Sequence, residues 1–223
     1  MESKKEIKEA KDLKEISEIV SKCTRCDLYQ TKIKDVPGVG NPEAEIMFIG
    51  EAPGKDEDLK GEPFVGAAGK FLTEMIESIG MKRSDVYIAN VVKHRPPENR
   101  DPYPEEAKAC EPYLERQIEL IQPKLIVFLG RHSMNRFFPT FRISKVHGTA
   151  FRKKSILKET GFQVYLALYH PAAALYNNSM KETLISDFNK IPKILEKINN
   201  VGIVENEDTD SDGMNDLIQE RLF

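Results

Sequence analysis

Residues 45–66 read EIMFIGEAPGKDEDLKGEPFVG, and this stretch indicates the fold more clearly than any other part of the chain. It begins with a short apolar run, Glu45–Gly50, which we interpret as a buried strand. A loop rich in glycine and proline follows, and a helix is predicted from about Gly66 to Gly80. A strand, a loop and a helix in this order begin an α/β fold.

The alternation of short apolar strands and helices continues along the chain. Further strands are predicted at 86–92, 124–130 and 163–169, and helices at 5–22, 104–121 and 180–199, with a short helix after the third strand. Pro112 is expected to bend or interrupt its helix, and the basic segment 142–162 is irregular and open to a hairpin. We therefore predict a three-layer α/β/α fold with a central four-stranded parallel sheet.

Length and charge limit the class of protein. The 223 residues suit a single domain, here 1–202, followed by an acidic tail at 203–223 that is predicted to be disordered. Seven acids and one arginine give the tail a net charge of −6, which leaves +3 for residues 1–202 because the whole chain carries −3. A mildly basic domain permits a nucleic-acid partner without requiring one. The charged N-terminus and the lack of a long apolar run predict a cytoplasmic protein with no membrane association.

Phosphate-loop and calcium-loop motifs are both incomplete in this chain. The pairs Gly54-Lys55 and Gly69-Lys70 lack the glycine five residues earlier and the following Ser or Thr of a P-loop. Residues 208–213 match the start of an EF-hand loop, but Gln219 stands where the closing glutamate belongs. We therefore exclude both kinds of site.

Three motifs follow the carboxyl ends of predicted strands, where open α/β folds bind ligands. They are 50–66, the pair 90–93 and 95–102, and 170–177. Strands often end in polar residues at the surface, which explains each motif alone but not the proline, glycine and aromatic residues that accompany them. Together with the cysteine pattern, the motifs resemble the family 4 (iron–sulfur) uracil-DNA glycosylases over about residues 20–195.

The resemblance implies a monofunctional enzyme of base excision repair, which flips uracil out of DNA and hydrolyses its bond to the sugar. The uracil-binding residues would be Gly50, Glu51, Ala52, Phe64, Asn90 and His170, and the catalytic residues would be Glu51, His170 and Glu57. Asn90 offers a donor and an acceptor to the edge of uracil. His170 would donate to the departing uracil, and Glu51 is the better candidate for activating water.

Structural alternatives exist for these residues. Asn90 could cap a strand end, and Glu57 could be a solvated charge or could shape the pocket against the methyl group of thymine. Phe64 could belong to the core, although its loop position favours an exposed aromatic wall on which the base stacks.

Basic and apolar residues near the motifs are candidates for contacts with DNA. Phosphate contacts are predicted for Arg95, Asn99 and Arg100 and for the run 152–154. Leu175 and Tyr176 would fill the stack that the flipped base vacates. The end of the tail faintly resembles a peptide that binds a sliding clamp, although the expected spacing is missing.

The three cysteines indicate a metal site more than a disulfide, because Cys23 and Cys26 form a Cys-x-x-Cys pair in a chain expected to be cytosolic. The resemblance implies a [4Fe-4S] cluster held by Cys23, Cys26, Cys110 and, at the position of the fourth cysteine, His94. Histidine ligates iron–sulfur centres of the Rieske type. Zinc with the same four ligands is the alternative, and a third possibility leaves His94 unligated.

Other functions remain open at this point. A related branch of the superfamily carries a histidine at about this position, with a basic inserted loop, and traps DNA covalently. Lys93 runs directly into Arg95-Pro96-Pro97 here, so ordinary turnover is expected. A non-catalytic module that recognises uracil would use some of the same residues. A DNA-binding protein that is held together by zinc and has no pocket would also use some of them. A monomer is the simplest expectation.

Overall fold

The sheet is mixed, with four parallel strands at its centre. The structure is a computed structural model that describes residues 4–154 and 161–201. The strands are β1 (Val39–Gly40), β2 (Ile46–Gly50), β3 (Tyr87–Asn90), β4 (Leu125–Leu129), β5 (Ala150–Lys154) and β6 (Phe162–Leu168). Their order is β1-β3-β2-β4-β6-β5, in which β3, β2, β4 and β6 are parallel and the two edge strands are antiparallel. The predicted parallel sheet is confirmed, with two edge strands added.

Helices cover both faces of this sheet. They are α1 (Lys4–Glu9), α2 (Leu13–Ser21), α3 (Lys55–Lys60), α4 (Ala67–Ser78), α5 (Pro104–Ile121), α6 (Arg131–Phe137), α7 (Ile143–Val146), α8 (Pro171–Ala174), α9 (Asn178–Phe188) and α10 (Ile191–Val201). Leu72 of α4 and Phe188 of α9 belong to the core on one face, and Leu114 of α5 and Met134 of α6 belong to the core on the other. The three-layer α/β/α prediction is therefore confirmed.

Burial on both faces explains why the central strands show no alternation of polar and apolar residues. All five residues of β2 are buried. Ile46 and Phe48 enter one core, and Met47 and Ile49 enter the other. A continuous apolar run is therefore what this position in the sheet requires.

Two predicted helices are each divided in the structure. The segment 5–22 forms α1 and α2, because the Asp12 carboxylate accepts the backbone N–H of Glu15 at 2.8 Å and starts a second helix. A cap of this kind contributes about 1 kcal/mol. Likewise, α9 ends at Phe188 and α10 begins at Ile191. In contrast, α5 continues through Pro112, so the predicted interruption is wrong.

The loops differ from expectation mainly after β2, where the segment predicted as loop contains α3. The basic segment 142–162, predicted to be irregular, contains α7 and β5, and β5 forms an antiparallel pair with β6, the predicted fourth strand. In the described ranges, no helix combines the length and the apolar character needed to cross a membrane. The predicted disorder of the tail, its clamp-binding peptide and the incomplete calcium loop lie outside the described residues.

Candidate active site

A cavity of about 360 Å³ opens at the carboxyl ends of the parallel strands. The residues that line it come from all three predicted motifs and include Glu51, Ala52, Glu57, Phe64, Asn90 and His170. Its volume lies within the range of small-molecule sites. The backbone keeps the first two motifs together beyond the sheet, because Val91 and Val92 donate to the carbonyls of Gly50 and Glu51. The structure therefore places the sequence-predicted pocket residues in one site.

Asn90 is the buried polar group of this cavity. It ends β3, opposite Gly50 of β2, and only 1% of its surface is exposed. Its side-chain oxygen Oδ1 has no hydrogen-bond partner in the described part of the chain. Leaving such an atom buried and unsatisfied costs roughly 1–3 kcal/mol. This cost is expected where a ligand completes the hydrogen bonding, and it argues against a simple strand cap.

Gly50 matters to the cavity because any side chain at this position would collide with the residues that line it. A Cβ atom at this position would lie 2.4 Å from Asn90 Oδ1 and 2.6 Å from Cε2 of Phe64. Both distances are shorter than any ordinary carbon contact. Glycine is therefore required for the amide and the aromatic ring to meet at the end of β2.

Phe64 is buried, so the prediction that it is an exposed aromatic residue is wrong. Only 7% of Phe64 is accessible, and its side chain belongs to the core beside α4. The ring nevertheless lines the cavity and stacks against His170, with centroids 5.5 Å apart. The backbone of Phe64 has a φ of +55°, and Gly69 packs so closely that a Cβ there would lie 1.9 Å from the Phe64 carbonyl oxygen. This close packing turns a loop phenylalanine inward.

His170 is held as a neutral hydrogen-bond donor. It caps α8, and its Nδ1 accepts the backbone N–H of Ala172 at 3.1 Å. A neutral imidazole whose Nδ1 accepts must carry its proton on Nε2. Burial lowers the pKa of His170 to about 4. At neutral pH the ring therefore offers one N–H and no positive charge.

Glu51 is the carboxylate with an unusual pKa in this cavity. Burial is the main cause, with repulsion from Asp101 adding to it, and together they raise the pKa of Glu51 to about 7. Its Oε1 is buried and has no hydrogen-bond partner within the described residues. A carboxylate that titrates near neutral pH can accept a proton from water at the working pH of an enzyme.

Glu57 has a different environment. Its two carboxylate oxygens accept the backbone N–H groups of Gly54, Val65 and Gly66 at 2.9–3.0 Å. These bonds join the beginning and the end of the first motif across α3. The solvated alternative for Glu57 is therefore wrong, and its bonds shape the wall of the cavity.

Two of the four predicted metal ligands, Cys26 and Cys110, are in direct contact. Cys26 and Cys110 share a hydrogen bond, which lowers the pKa of Cys26 to about 7 and, together with burial, raises the pKa of Cys110. Arg25 ties the cysteine loop to α5 by donating to the Ala109 carbonyl at 3.0 Å. The backbone of Lys93 bonds to the Cys110 side chain, which brings the next residue, His94, to the same place.

The two ring nitrogens of His94 differ in their contacts. It is 1% exposed, and its Nε2 lies 3.0 Å from Asp35 Oδ1. Its Nδ1 is buried and has no hydrogen-bond partner among the described residues. Cys23 is also buried. Three cysteines and an imidazole nitrogen that lacks a partner form a donor set that fits a metal or an iron–sulfur cluster.

The candidates for DNA contact are divided between the cavity rim and the far edge of the sheet. Leu175 and Tyr176 follow α8 and are 40% and 92% exposed, as a wedge requires. Arg95 donates to Asn99 at 2.8 Å. In contrast, the run 152–154 lies on β5 opposite the first residues of β6. About seven residues of β6 then separate it from His170, which is roughly 20 Å, so its predicted phosphate contact stays a prediction for a part of the duplex away from the cavity.

Arg100 forms an ion pair with Glu106 of the same chain. Its guanidinium donates to both carboxylate oxygens of the buried Glu106, at 2.8 and 2.6 Å, and lies over the ring of Tyr103. These bonds satisfy the buried carboxylate and orient the loop that carries Asn99. Arg100 therefore organises the rim, and less of its charge is available for phosphate than we expected.

Sequence reasoning missed His132 and Asp101 near the site. His132 lies on α6, just beyond the carboxyl end of β4, and its Nδ1 is 3.6 Å from Glu51 Oε1. Asp101 lines the cavity, and its carboxylate is 3.2 Å from Nε2 of His132. We selected Glu51, Asn90 and His170 because open α/β folds bind ligands at the carboxyl ends of their strands. The same reasoning applies to the third predicted strand and would have found His132.

Comparisons with known proteins agree with this geometry. Residues 37–198 match the Uracil DNA glycosylase superfamily. The Type-4 uracil-DNA glycosylase of Archaeoglobus fulgidus is 52% identical over 80% of this chain and 90% of its own. The enzymes of the same name from Sulfurisphaera tokodaii and Thermotoga maritima are 51% and 40% identical, over 78% and 80% of this chain and 81% and 92% of theirs. The chain therefore belongs to the uracil-DNA glycosylase superfamily and, within it, to the type-4 family.

Proposed function

We propose that this chain removes uracil from DNA by hydrolysing the bond between the base and the sugar, which leaves an abasic site for base excision repair. The observation that carries the proposal is the buried amide oxygen of Asn90, which has no hydrogen-bond partner in the described residues and lies in a cavity that Phe64, His170 and Glu51 also line. A base inside a duplex cannot reach such a site, so the nucleotide must be flipped into it.

Asn90 supplies the recognition of uracil. Its Oδ1 accepts the N3–H of uracil and its Nδ2 donates to a neighbouring carbonyl oxygen. Cytosine carries an acceptor at N3 and an amino group at C4, so the same amide meets two mismatched groups. Thymine has the same hydrogen-bonding edge as uracil, so its rejection depends on the wall of the cavity around the C5 position. Contacts such as those of Glu57 define this wall.

His170 and Glu51 supply the chemistry in this proposal. Bond cleavage develops negative charge on uracil and positive charge on the sugar. The Nε2–H of neutral His170 stabilises the departing uracil, as donors aimed at developing charge do. The Glu51 carboxylate stabilises the sugar cation and takes a proton from the attacking water. No step requires a lysine Schiff base, so the strand remains uncut.

We also propose a [4Fe-4S] cluster held by Cys23, Cys26, Cys110 and His94. The support for it is the donor set, three cysteines together with the buried Nδ1 of His94, which has no hydrogen-bond partner in the described residues. The same four donors also suit a zinc ion, which metal and sulfide analysis distinguishes from a cluster. The cluster would be structural, joining the N-terminal helices to the loop that carries Arg95.

The remaining features concern partners and location. Leu175 and Tyr176 would enter the stack of the duplex when uracil leaves it, because both are exposed immediately after the motif of His170. Binding to a sliding clamp through the tail, a monomeric state and a cytoplasmic location stay predictions from the sequence.

The release of free uracil tests the proposed function. Duplex oligonucleotides with a single U·G, T·G or C·G pair are incubated with the protein, and the free bases are measured by mass spectrometry. We expect uracil release alone, and a loss of at least about 100-fold with Asn90→Ala, because a buried donor–acceptor pair is removed. Asn200→Ala, on the exposed side of α10, is the matched control and should release uracil at the wild-type rate.

Binding to the same duplexes, measured beside base release, distinguishes this function from the two alternatives. Binding that prefers uracil without base release would indicate a non-catalytic reading module. Binding without preference would indicate a DNA-binding protein that has no functional pocket. Either result would refute the proposed hydrolysis.

A further inference from the structure

His132 lies between two carboxylates at the edge of the cavity. Its Nδ1 is 3.6 Å from Oε1 of Glu51, and its Nε2 is 3.2 Å from Oδ2 of Asp101. The ring is held there by α6, whose first residue, Arg131, begins directly after Gly130. The proposed mechanism assigns no task to this histidine.

The hydrogen bond from Arg131 determines which nitrogen of His132 carries the proton. Arg131 Nε donates to His132 Nε2 at 2.9 Å. Asp101 Oδ2 also lies 3.2 Å from this nitrogen, but the pair does not have hydrogen-bond geometry in the structure. Because arginine is a donor only, Nε2 presents its lone pair to Arg131, and the neutral ring then carries its proton on Nδ1. Nδ1 is the nitrogen that faces Glu51. The cluster therefore aims an N–H at the carboxylate that is proposed to activate water.

The Glu51 oxygen in question has no other donor. Oε1 is buried and has no hydrogen-bond partner within the described ranges. The 3.6 Å separation from His132 is too long for a hydrogen bond, and a closing movement of about 0.5 Å would form one. Catalytic hydrogen bonds often tighten in this way when substrate binds.

The charged groups around the pair favour a neutral donor. Burial is the main cause that lowers the pKa of His132, with Asp101 opposing it and Arg131 adding to it. Arg131 also lies 3.7 Å from the Asp101 carboxylate, so this carboxylate already has a cationic partner and does not require a protonated His132. His170 and Glu57 are the other titratable groups that line the cavity with Glu51 and Asp101, besides Arg100.

We propose that His132 is a positioning residue for Glu51, whose Oε1 accepts the His132 Nδ1–H in the complex with DNA. This bond fixes the carboxylate and leaves Oε2 directed to the attacking water. The inference rests on the proposed function, because it assigns a supporting residue to the same reaction. His132 does not touch uracil, so its loss affects the chemical step and leaves uracil binding intact.

Three substitutions of His132 test this role. Leucine fills the site without a donor, asparagine places an amide N–H near the position of Nδ1, and glutamine places its amide near Nε2. Glutamine keeps a contact with Arg131 and loses the contact with Glu51, so it is the matched control for asparagine. The comparison of these two variants stays decisive even if the leucine variant fails to fold.

Single-turnover rates on a uracil duplex are measured from pH 5.5 to 9.5. Without the donor, the ionised form of Glu51 is less stable, so the acidic limb moves to higher pH by about one unit. At pH 7 this shift lowers the ionised fraction of Glu51 from about one half to about one tenth. We therefore expect His132→Leu and His132→Gln to lose about fivefold in rate at pH 7, and His132→Asn to retain the wild-type profile. Affinity for uracil DNA should stay within about twofold in all three.

A direct titration separates this inference from the proposed function. The pKa of the Glu51 carboxyl group is measured by carbon NMR in the complex with a duplex that carries a non-hydrolysable analogue of deoxyuridine. Glu51→Gln identifies the signal, and this measurement needs no turnover. A rise of about one unit in His132→Leu that is absent in His132→Asn supports the role. Unchanged pKa values, or an asparagine variant that behaves like the leucine variant, would overturn it even if uracil is released. A wild type that releases no uracil would instead refute the function.

Discussion

Gly50→Ala adds one methyl group at the point where β2 meets the cavity. The new Cβ would lie 2.4 Å from Asn90 Oδ1 and 2.6–2.7 Å from two ring atoms of Phe64. Ordinary contacts begin at 3.4 Å, so the amide and the ring must each retreat by about 0.8–1.0 Å. Phe64 has little room to retreat, because it is 93% buried and stacks on His170.

The expected result is a modest loss of stability and a large loss of rate. Overpacking of this size costs about 1–3 kcal/mol. A displacement of about 1 Å in the uracil-reading amide is expected to lower the rate about 100-fold. Thermal unfolding measures the first effect, and single-turnover release of uracil at saturating protein measures the second.

Gly80→Ala is the matched control for this substitution. Nothing lies within 4 Å of a Cβ at Gly80, but its φ of +80° makes alanine strained. The control should therefore lose about 1 kcal/mol of stability and retain the wild-type rate. If Gly50→Ala is folded and releases uracil within threefold of the wild-type rate, the contact between Gly50, Asn90 and Phe64 does not form the uracil site.

Four further predictions rest on the same structure. Because Glu51 acts as a base and its pKa is raised to about 7, activity should fall about tenfold from pH 7.5 to pH 6. Burial also makes the folded chain bind this proton more tightly than the unfolded chain, so Glu51→Gln should raise the melting temperature above pH 7, with a difference that disappears below about pH 4.5. Leu175→Ala should slow release from duplex about tenfold and leave single-stranded release unchanged, since only the duplex needs its stack refilled; equal effects on both substrates would exclude a wedge. Under the [4Fe-4S] proposal, protein purified without oxygen should contain four iron and four sulfide ions per chain. His94→Ala should lower both contents, and His94→Cys should restore them. Zinc without sulfide would contradict the proposal.

The strand ends were the most predictable part of the site. Glu51, Asn90 and His170 each follow a run of apolar residues that only a buried parallel strand explains, and parallel strands end at one edge of the sheet. Their meeting in one cavity therefore follows from the topology. His132 obeys the same rule, because it follows the end of β4, although it lies at the start of a helix and not in a loop motif.

The parts that failed depend on contacts between distant residues. The inward position of Phe64 requires the close approach of Gly69, and periodicity does not report such an approach. Likewise, α3 is stabilised by Glu57, whose carboxylate bonds to Gly54 before the helix and to the chain near Gly66 after it. A sequence shows the charged run 55–58 but not the backbone groups that return to it.

The most direct test of the account is the creation of alkali-labile sites in DNA. A labelled duplex with one uracil is incubated with wild type, Glu51→Gln or His170→Ala, and then heated in alkali, with Glu43→Gln at an exposed position as the control. The account predicts cleavage at the uracil only after alkali, at wild-type rates for the control and at rates at least about 100-fold lower for the two site variants. Cleavage without alkali, or wild-type rates in both site variants, would contradict the assignment of the chemistry to this cavity.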